Sequence, residues 1–157
     1  MEDSSEGAFG LTGYLKPERC VILERAAKEE VLDALVKLLG ASPEAGDETA
    51  LADGIRAREK LLSTGIGQGV AIPHVRLTAA RGLAFAAAIV RDGVVDYGSP
   101  DSVPVRLVVM IVARADQHVL YLRVLSQLST HLKEDAFRSR VFGCSTAAEL
   151  YAALADS

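Results

Sequence analysis

The stretch Thr64-Gly65-Ile66-Gly67-Gln68-Gly69-Val70-Ala71-Ile72-Pro73-His74 combines the residue types that reversible chemistry on an imidazole requires. Glycines at positions 65, 67 and 69 leave the backbone bare and able to take positive φ, with amides open to an anion. Val70–Ile72 suits a short buried strand, and Pro73 stops it and presents His74. An imidazole with an ordinary pKa of about 6.5 is largely neutral, and hence nucleophilic, near neutral pH. The same residues also describe a plain glycine-rich turn, a strand and a surface histidine. The flanking sequence has to decide between the two.

Arg58 is the first flanking residue that matters. From Asp47 to Leu62 the apolar residues Leu51, Ile55 and Leu62 recur at helical spacing, with Asp47 as N-cap and Glu48 in the first turn. At about 100° per residue Arg58 falls inside that stripe, between Ile55 and Leu62. A guanidinium on a buried face needs an anion or a carbonyl to replace its water. This helix runs into the glycine stretch, so Arg58 is expected to share one shallow pocket with His74. There it would hold a phosphoryl group in bidentate fashion, and the open glycine amides would neutralise the incoming charge.

Other chemistries find no support. No Gly-Lys-Ser/Thr follows the glycines, as a Walker loop requires, and Val70 stands where a dinucleotide fingerprint has its third glycine. No Gly-x-Ser-x-Gly elbow or His-Glu-x-x-His occurs, and three histidines and two cysteines at these separations do not form a metal-ligand pattern. A net charge of −4 and the lack of a basic cluster argue against nucleic acid. The apolar run 83–90 is too short to span a bilayer, which speaks against direct membrane insertion.

Arg58-Glu59 through Pro73-His74 resembles the signature of the mannitol/fructose-type enzyme IIA domains of the bacterial phosphotransferase system, in particular their nitrogen-regulatory branch. Leu11–Leu15 resembles the opening segment of that family, Val94–Asp101 its hairpin region, Val105–Val112 the following core strand and Ala115-Asp116-Gln117 the entry to the next helix. The resemblance implies a cytoplasmic phosphorelay component, a stoichiometric phosphocarrier rather than a free-standing catalyst. His74 would accept phosphate from the phosphohistidine of an HPr-like carrier, and Arg58 would steady it. No cofactor or metal is implied, because a phosphohistidine donor needs none. The family commonly has a second histidine near the first; Tyr121 stands there in this chain, and Arg123 where the branch often has another. Arg114 replaces a usual proline, and Val75 a usual small residue after the active histidine.

Helical geometry offers a substitute for the missing histidine. In Gln117–Lys133, Leu125, Leu128 and Leu132 define an inner stripe with Tyr121 and Leu122 on its flanks. His118 lies two turns above Leu125, so His118 and Tyr121 are both expected to point inward from the first turns, where either could donate to a phosphoryl oxygen. A satisfied buried imidazole and a core aromatic fit the same pattern. His131 falls off the stripe, near the helix end.

These residues must be positioned by a core of small and aliphatic side chains. Half of the 157 residues are apolar, only 5% are aromatic and there is no tryptophan, a composition suited to one domain. Cys20–Leu23 reads as a strand and Lys28–Leu39 as a helix with Val31, Leu35 and Leu38 on one face. The runs 83–90 and 105–112 suit strands covered on both sides, with turn signals at Arg91-Asp92-Gly93 and Gly98–Asp101. A short helix near Asp135–Val141 precedes a last one opened by the capping box Thr146-x-x-Glu149. Cys20 and Cys144, lacking Cys-x-x-Cys spacing, are expected as reduced, partly buried thiols. Residues 1–9 read as a polar flexible tail and 10–157 as one α/β sandwich, a mixed sheet with helices on both faces. Three roles stay open: a phosphorelay protein that regulates partners by its phosphorylation state, a sugar-specific enzyme IIA passing phosphate to an enzyme IIB, and a degenerate, non-phosphorylated interaction domain.

Overall fold

The structure, a computed structural model, describes residues 13–155, so the tail expected over residues 1–9 lies outside them. Its centre is the pair of long apolar runs, which form β5 (Ala84–Val94) and β6 (Val105–Arg114), paired antiparallel. Both are buried on both faces. Phe85, Ala87 and Ile89 join Leu107, Val109 and Ile111 on one side, while Ala84, Ala86 and Ala88 join Val108, Met110 and Val112 on the other. β1 (Cys20–Leu23) lies parallel to β5 at one edge. At the other, β6 carries β3 (Val70–Ala71) and then β4 (His74–Leu77), both parallel to it, and β3 pairs with β2 (Gly65–Gly67).

Helices α1 (Lys28–Gly40) and α2 (Glu48–Leu61) cover the alanine-rich face. The opposite face carries α3 (His118–Leu132), α4 (Asp135–Phe142) and α5 (Ala147–Ala155). The mixed sheet with helices on both faces is therefore the architecture expected. The Asp47 carboxylate caps α2 by accepting from the Thr49 amide at 3.0 Å. At α5 the Thr146 hydroxyl accepts from Glu149 N at 3.1 Å, while the Glu149 carboxylate reaches Ser145 N, one residue ahead of the cap. Cys20 and Cys144 are free and buried in one cluster, and burial pushes the Cys20 thiol up to about 12, leaving it inert.

Two local expectations fail for instructive reasons. Arg91-Asp92-Gly93 is not a turn but part of β5. The pairing passes from Ile89 opposite Leu107 to Val94 opposite Val105, so five steps on β5 match two on β6. Gly93, at φ 82°, absorbs the excess as a bulge, and Asp92 N donates to the Glu24 carbonyl at 2.9 Å. On α3 the buried stripe is Tyr121, Val124, Leu128 and Leu132, with Leu125 only half-buried and Leu122 exposed. This rotation moves His118 to about 75° from the stripe's centre. His118 is exposed, against the inward orientation expected.

Gly46 precedes the Asp47 cap at φ 81°, and a β-carbon there would lie 2.0 Å from the Ala79 carbonyl oxygen. We expect Gly46→Ala to cost at least 1–3 kcal/mol in urea unfolding, the range for an αL non-glycine residue. Gly13→Ala, with nothing within 4 Å of its added carbon among the described residues, should leave the midpoint unchanged.

Candidate functional site

Between β3 and β4 the chain steps off the ladder for two residues. Ile72 N turns away from β6 and donates to the Thr64 carbonyl at 3.0 Å. Pro73 has no N–H to give, but its carbonyl accepts from Ile111 N at 2.9 Å. His74 then opens β4 opposite Ile111, where the sequence suggested the end of a strand. Its Nδ1 lies 2.5 Å from the Ile72 carbonyl oxygen. A carbonyl only accepts, so Nδ1 carries the proton and Nε2 keeps its lone pair. Burial lowers the His74 pKa and the Arg58 charge lowers it further, against the Ile72 hydrogen bond and Glu59. The ring is thus held neutral, with one nitrogen free to attack.

Arg58 arrives from the last turn of α2. Leu51 and Ile55 anchor that helix, and Gly54 lets it rest directly on β4: a β-carbon there would meet Val75 Cγ2 at 3.0 Å and Leu77 Cδ2 at 3.1 Å. One turn beyond Gly54, half-buried Arg58 donates from Nη1 to the Leu62 carbonyl at 2.9 Å. Leu62 itself leaves the expected stripe, as an extended C-cap 69% exposed. Tyr121, 8% exposed, sets its ring 5.8 Å from that of His74. Burial raises the Tyr121 pKa, while the charges of Arg76 and Arg58 pull it back. His74 and Tyr121 thus meet ring to ring, and the charge of Arg58 reaches both. His118 does not join them: no hydrogen bond or ring contact links it to His74 among the described residues.

The glycines do something other than expected. Gly67, Gln68 and Gly69 take φ of 96°, 59° and 81°, reversing the chain between β2 and β3. Asp101 accepts from Gln68 N at 2.7 Å, and the Gly69 carbonyl accepts from Arg106 N and Leu107 N. Gly65 N is used by the Ser63 hydroxyl at 3.2 Å, and a β-carbon on Gly65 would lie 3.1 Å from Ser99 Oγ. Val70 sits opposite Leu107 and His74 opposite Ile111, four positions or about 13 Å along β6. The hairpin tip thus points away from His74. Alternate glycines served a tight reversal and a close neighbour, not a cradle of amides around the imidazole. A cavity of about 500 Å³ also opens at that tip, by Gln68, Asp101 and Lys133, remote from the histidine.

Glu59, which carried no role in the sequence beyond the Arg-Glu pair, is the residue that ties the site together. Its side chain is 7% exposed and accepts from Lys28 Nζ at 2.9 Å, from Thr64 N at 3.3 Å and from the Thr64 hydroxyl. Thr64 Oγ1 lies 2.9 Å from the hydroxyl of Tyr97, itself buried with its pKa raised by burial and by Glu59. The Tyr97 carbonyl accepts from Lys28 Nζ and from Ser63 Oγ. Lys28 lies thirty-one residues before Glu59 in sequence (59 minus 28), so no local pattern reveals the pair.

Removing that carboxylate has two expected effects. Glu59→Ala should lower unfolding stability on the order of 3 kcal/mol, the low end for a broken buried pair, because Lys28 keeps some water. It should also drop the His74 pKa below its native value, since Glu59 is one of the groups holding it up. An NMR titration of the imidazole reads the second effect, and an unmoved pKa would contradict the coupling.

Comparison with known proteins matches this arrangement to one family. The family model described as "Phosphoenolpyruvate-dependent sugar phosphotransferase system, EIIA 2" matches residues 14–157. The nitrogen regulatory protein of Pseudomonas aeruginosa is 30% identical over 147 residues, covering 93% of this chain and 95% of that one. The fructose-specific EIIABC component of Bacillus subtilis is 38% identical over 119 residues, 76% of this chain but only 19% of the longer protein's length. Among solved structures, IIA-Ntr from Neisseria meningitidis superposes with a TM-score of 0.82 at 30% identity, over 90% of this chain and 97% of that one. Mannitol enzyme IIA from Escherichia coli, solved in complex with phosphorylated mannitol enzyme IIB, gives 0.68 at 25% identity over 91% of this chain and 99% of that one. The chain that sets a neutral histidine beside Arg58 in this fold belongs to the EIIA 2 family of the phosphoenolpyruvate-dependent sugar phosphotransferase system.

Proposed function

We propose that the chain is a phosphorelay protein that takes a phosphoryl group onto Nε2 of His74 from the phosphohistidine of an HPr-like carrier, and regulates partner proteins by whether that group is present. The observation that carries this is the Nδ1 hydrogen bond to Ile72, which leaves Nε2 as the free nucleophile next to Arg58. The Nε2 lone pair forms a new P–N bond as the P–N bond of the donor breaks, and the donor nitrogen keeps its electron pair. The proton stays on Nδ1, hydrogen-bonded to the Ile72 carbonyl, so His74 need not release a proton for Nε2 to attack. Arg58 compensates the charge that accumulates on the phosphoryl oxygens. Exchange with a soluble phosphocarrier fits a cytoplasmic protein. No helix among the described residues is long and apolar enough to cross a membrane.

Phosphorylation replaces a neutral ring by a bulky group carrying nearly two negative charges, enough to remodel an interface. The rim supports such a readout. Leu61 and Leu62 follow Arg58, and Val119 and Leu122 flank Tyr121, all four exposed apolar side chains. Regulation is favoured by the Pseudomonas aeruginosa relative named nitrogen regulatory protein, 95% of whose length is matched. A second reading, transfer onward to an enzyme IIB, is favoured by the fructose-specific relative, whose name joins A, B and C parts, and by the mannitol IIA–IIB complex. Tyr121 beside His74 keeps the third, a non-phosphorylated interaction domain, as an outcome of the test.

Incubation with phosphoenolpyruvate, enzyme I and an HPr-type carrier should add one phosphoryl mass to the intact chain, lost in mild acid and stable in base. His74→Ala should abolish it, and labelling of that variant at the native level would reject the assignment. Arg58→Gln should slow transfer about a hundredfold, as loss of one strong charge-stabilising donor does. If Tyr121 only fills the place of the second histidine, Tyr121→His should speed it about tenfold, the ~1.4 kcal/mol of one added charge-assisted hydrogen bond; if Tyr121 itself supports the phosphoryl group, the variant should not be faster. A native chain that never labels would leave the interaction domain as the better account.

A further inference from the structure

Arg76 stands two residues after His74 on β4, so both side chains leave the same face of the sheet. Val75 and Leu77, on the other face, pack against the cluster under α2. The Arg76 guanidinium carbon lies 5.5 Å over the ring of Tyr121, the same ring that sits 5.8 Å from His74. Its Nη1 donates to the Ala115 carbonyl at 3.1 Å, which fixes its direction, and its other donors have no hydrogen-bond partner among the described residues. Arg58 is arranged alike, tied through Nη1 to the Leu62 carbonyl. Among the described residues neither arginine has a carboxylate partner, although Arg25, Arg56, Arg91, Arg114 and Arg138 all do. The charges of both reach one nearly buried phenol, Tyr121, whose hydroxyl has no hydrogen-bond partner among the described residues.

We propose that Arg76 is a second phosphoryl-binding cation, acting with the Tyr121 hydroxyl opposite Arg58, so that a phosphoryl group on His74 is held from both sides. The inference rests on His74 being the acceptor and goes beyond it by naming what meets the remaining oxygens. A guanidinium held over an aromatic face keeps its fork oriented at little entropic cost, and its rim of N–H groups remains available to an anion. The Tyr121 ring is then the platform for Arg76 as well as the carrier of a donor. Stacking on the ring also explains how a site with a phenol beside the histidine supplies positive charge on that side.

The test uses the full chain with two donors, the phosphorylated HPr-type carrier and the small molecule phosphoramidate. Arg76→Gln should slow labelling of His74 about tenfold with either donor, Arg76→Lys should recover part of the rate, and Tyr121→Phe should slow it less than Arg76→Gln. Arg81→Gln, which removes an exposed arginine from a neighbouring loop, should change neither rate. In the phosphorylated native chain, the side-chain ¹⁵N–¹H signals of Arg76 should shift along with those of Arg58. A native rate in Arg76→Gln, unmoved Arg76 signals on a phosphorylated chain, or a defect seen only with the protein donor would each overturn the proposal, the last by making Arg76 a docking residue. Failure of the native chain to label with both donors would instead overturn His74 as acceptor, and this inference with it.

Discussion

The site depends on one buried carboxylate. Glu59 sits at the end of α2 and takes three donors, one from the ammonium of Lys28 on α1 and two from Thr64 at the root of the β2–β3 hairpin. A carboxylate so nearly dry is tolerated only when its lone pairs are all engaged. Once they are, the helix that carries Arg58, the helix that carries Lys28 and the strand that leads to His74 cannot move independently. Tyr97 closes the same network from the β5–β6 connection. Geometry among residues from four separate segments is thereby fixed without any of them touching the phosphoryl position.

The second constraint is the ladder on β6. That strand pairs with β5 on one side and with β3 and β4 in turn on the other, so the interruption at Ile72-Pro73 has no freedom to spread. The freed amide of Ile72 finds the Thr64 carbonyl, and the freed carbonyl of Ile72 finds the imidazole of His74. A break in regular pairing normally leaves orphan backbone groups. Here one orphan sets the tautomer of the functional side chain. The proline that sequence reading treats as a stop signal is the cause of that arrangement.

What could be read from the chain follows the range of the physics involved. The strand at Cys20–Leu23, the helix leading to Arg58 and the paired runs around Phe85 and Val109 declare themselves through periodicity and caps, which are local. That the charge of Arg58 reaches His74 was legible because a helix stripe and a short loop connect them. The strand beginning at His74 was not, since four residues with a mixed pattern become a strand only when β6 lies alongside. The hairpin role of Gly67 and Gly69 depended on Asp101 and Phe142, more than thirty positions away. The exposure of His118 turned on a rotation of about 30°, well within the blur of any helical wheel. Lys28, Tyr97 and Arg76 matter through partners brought by the fold, and their own neighbours in sequence say nothing of it.

The sheet order also separates the described ends of the chain from the histidine. β1 lies at one edge, and both described ends of the chain gather there: the turn at Pro17–Arg19 leads straight into β1, and α5 packs against that strand and turn. β4, with His74, lies on the far side of β6, three strand spacings or about 14 Å from β1 across the sheet. The described ends of the chain thus gather on the side of the sheet away from the imidazole, and what borders His74 comes instead from the middle of the sequence, Arg58 from α2 and Tyr121 from α3.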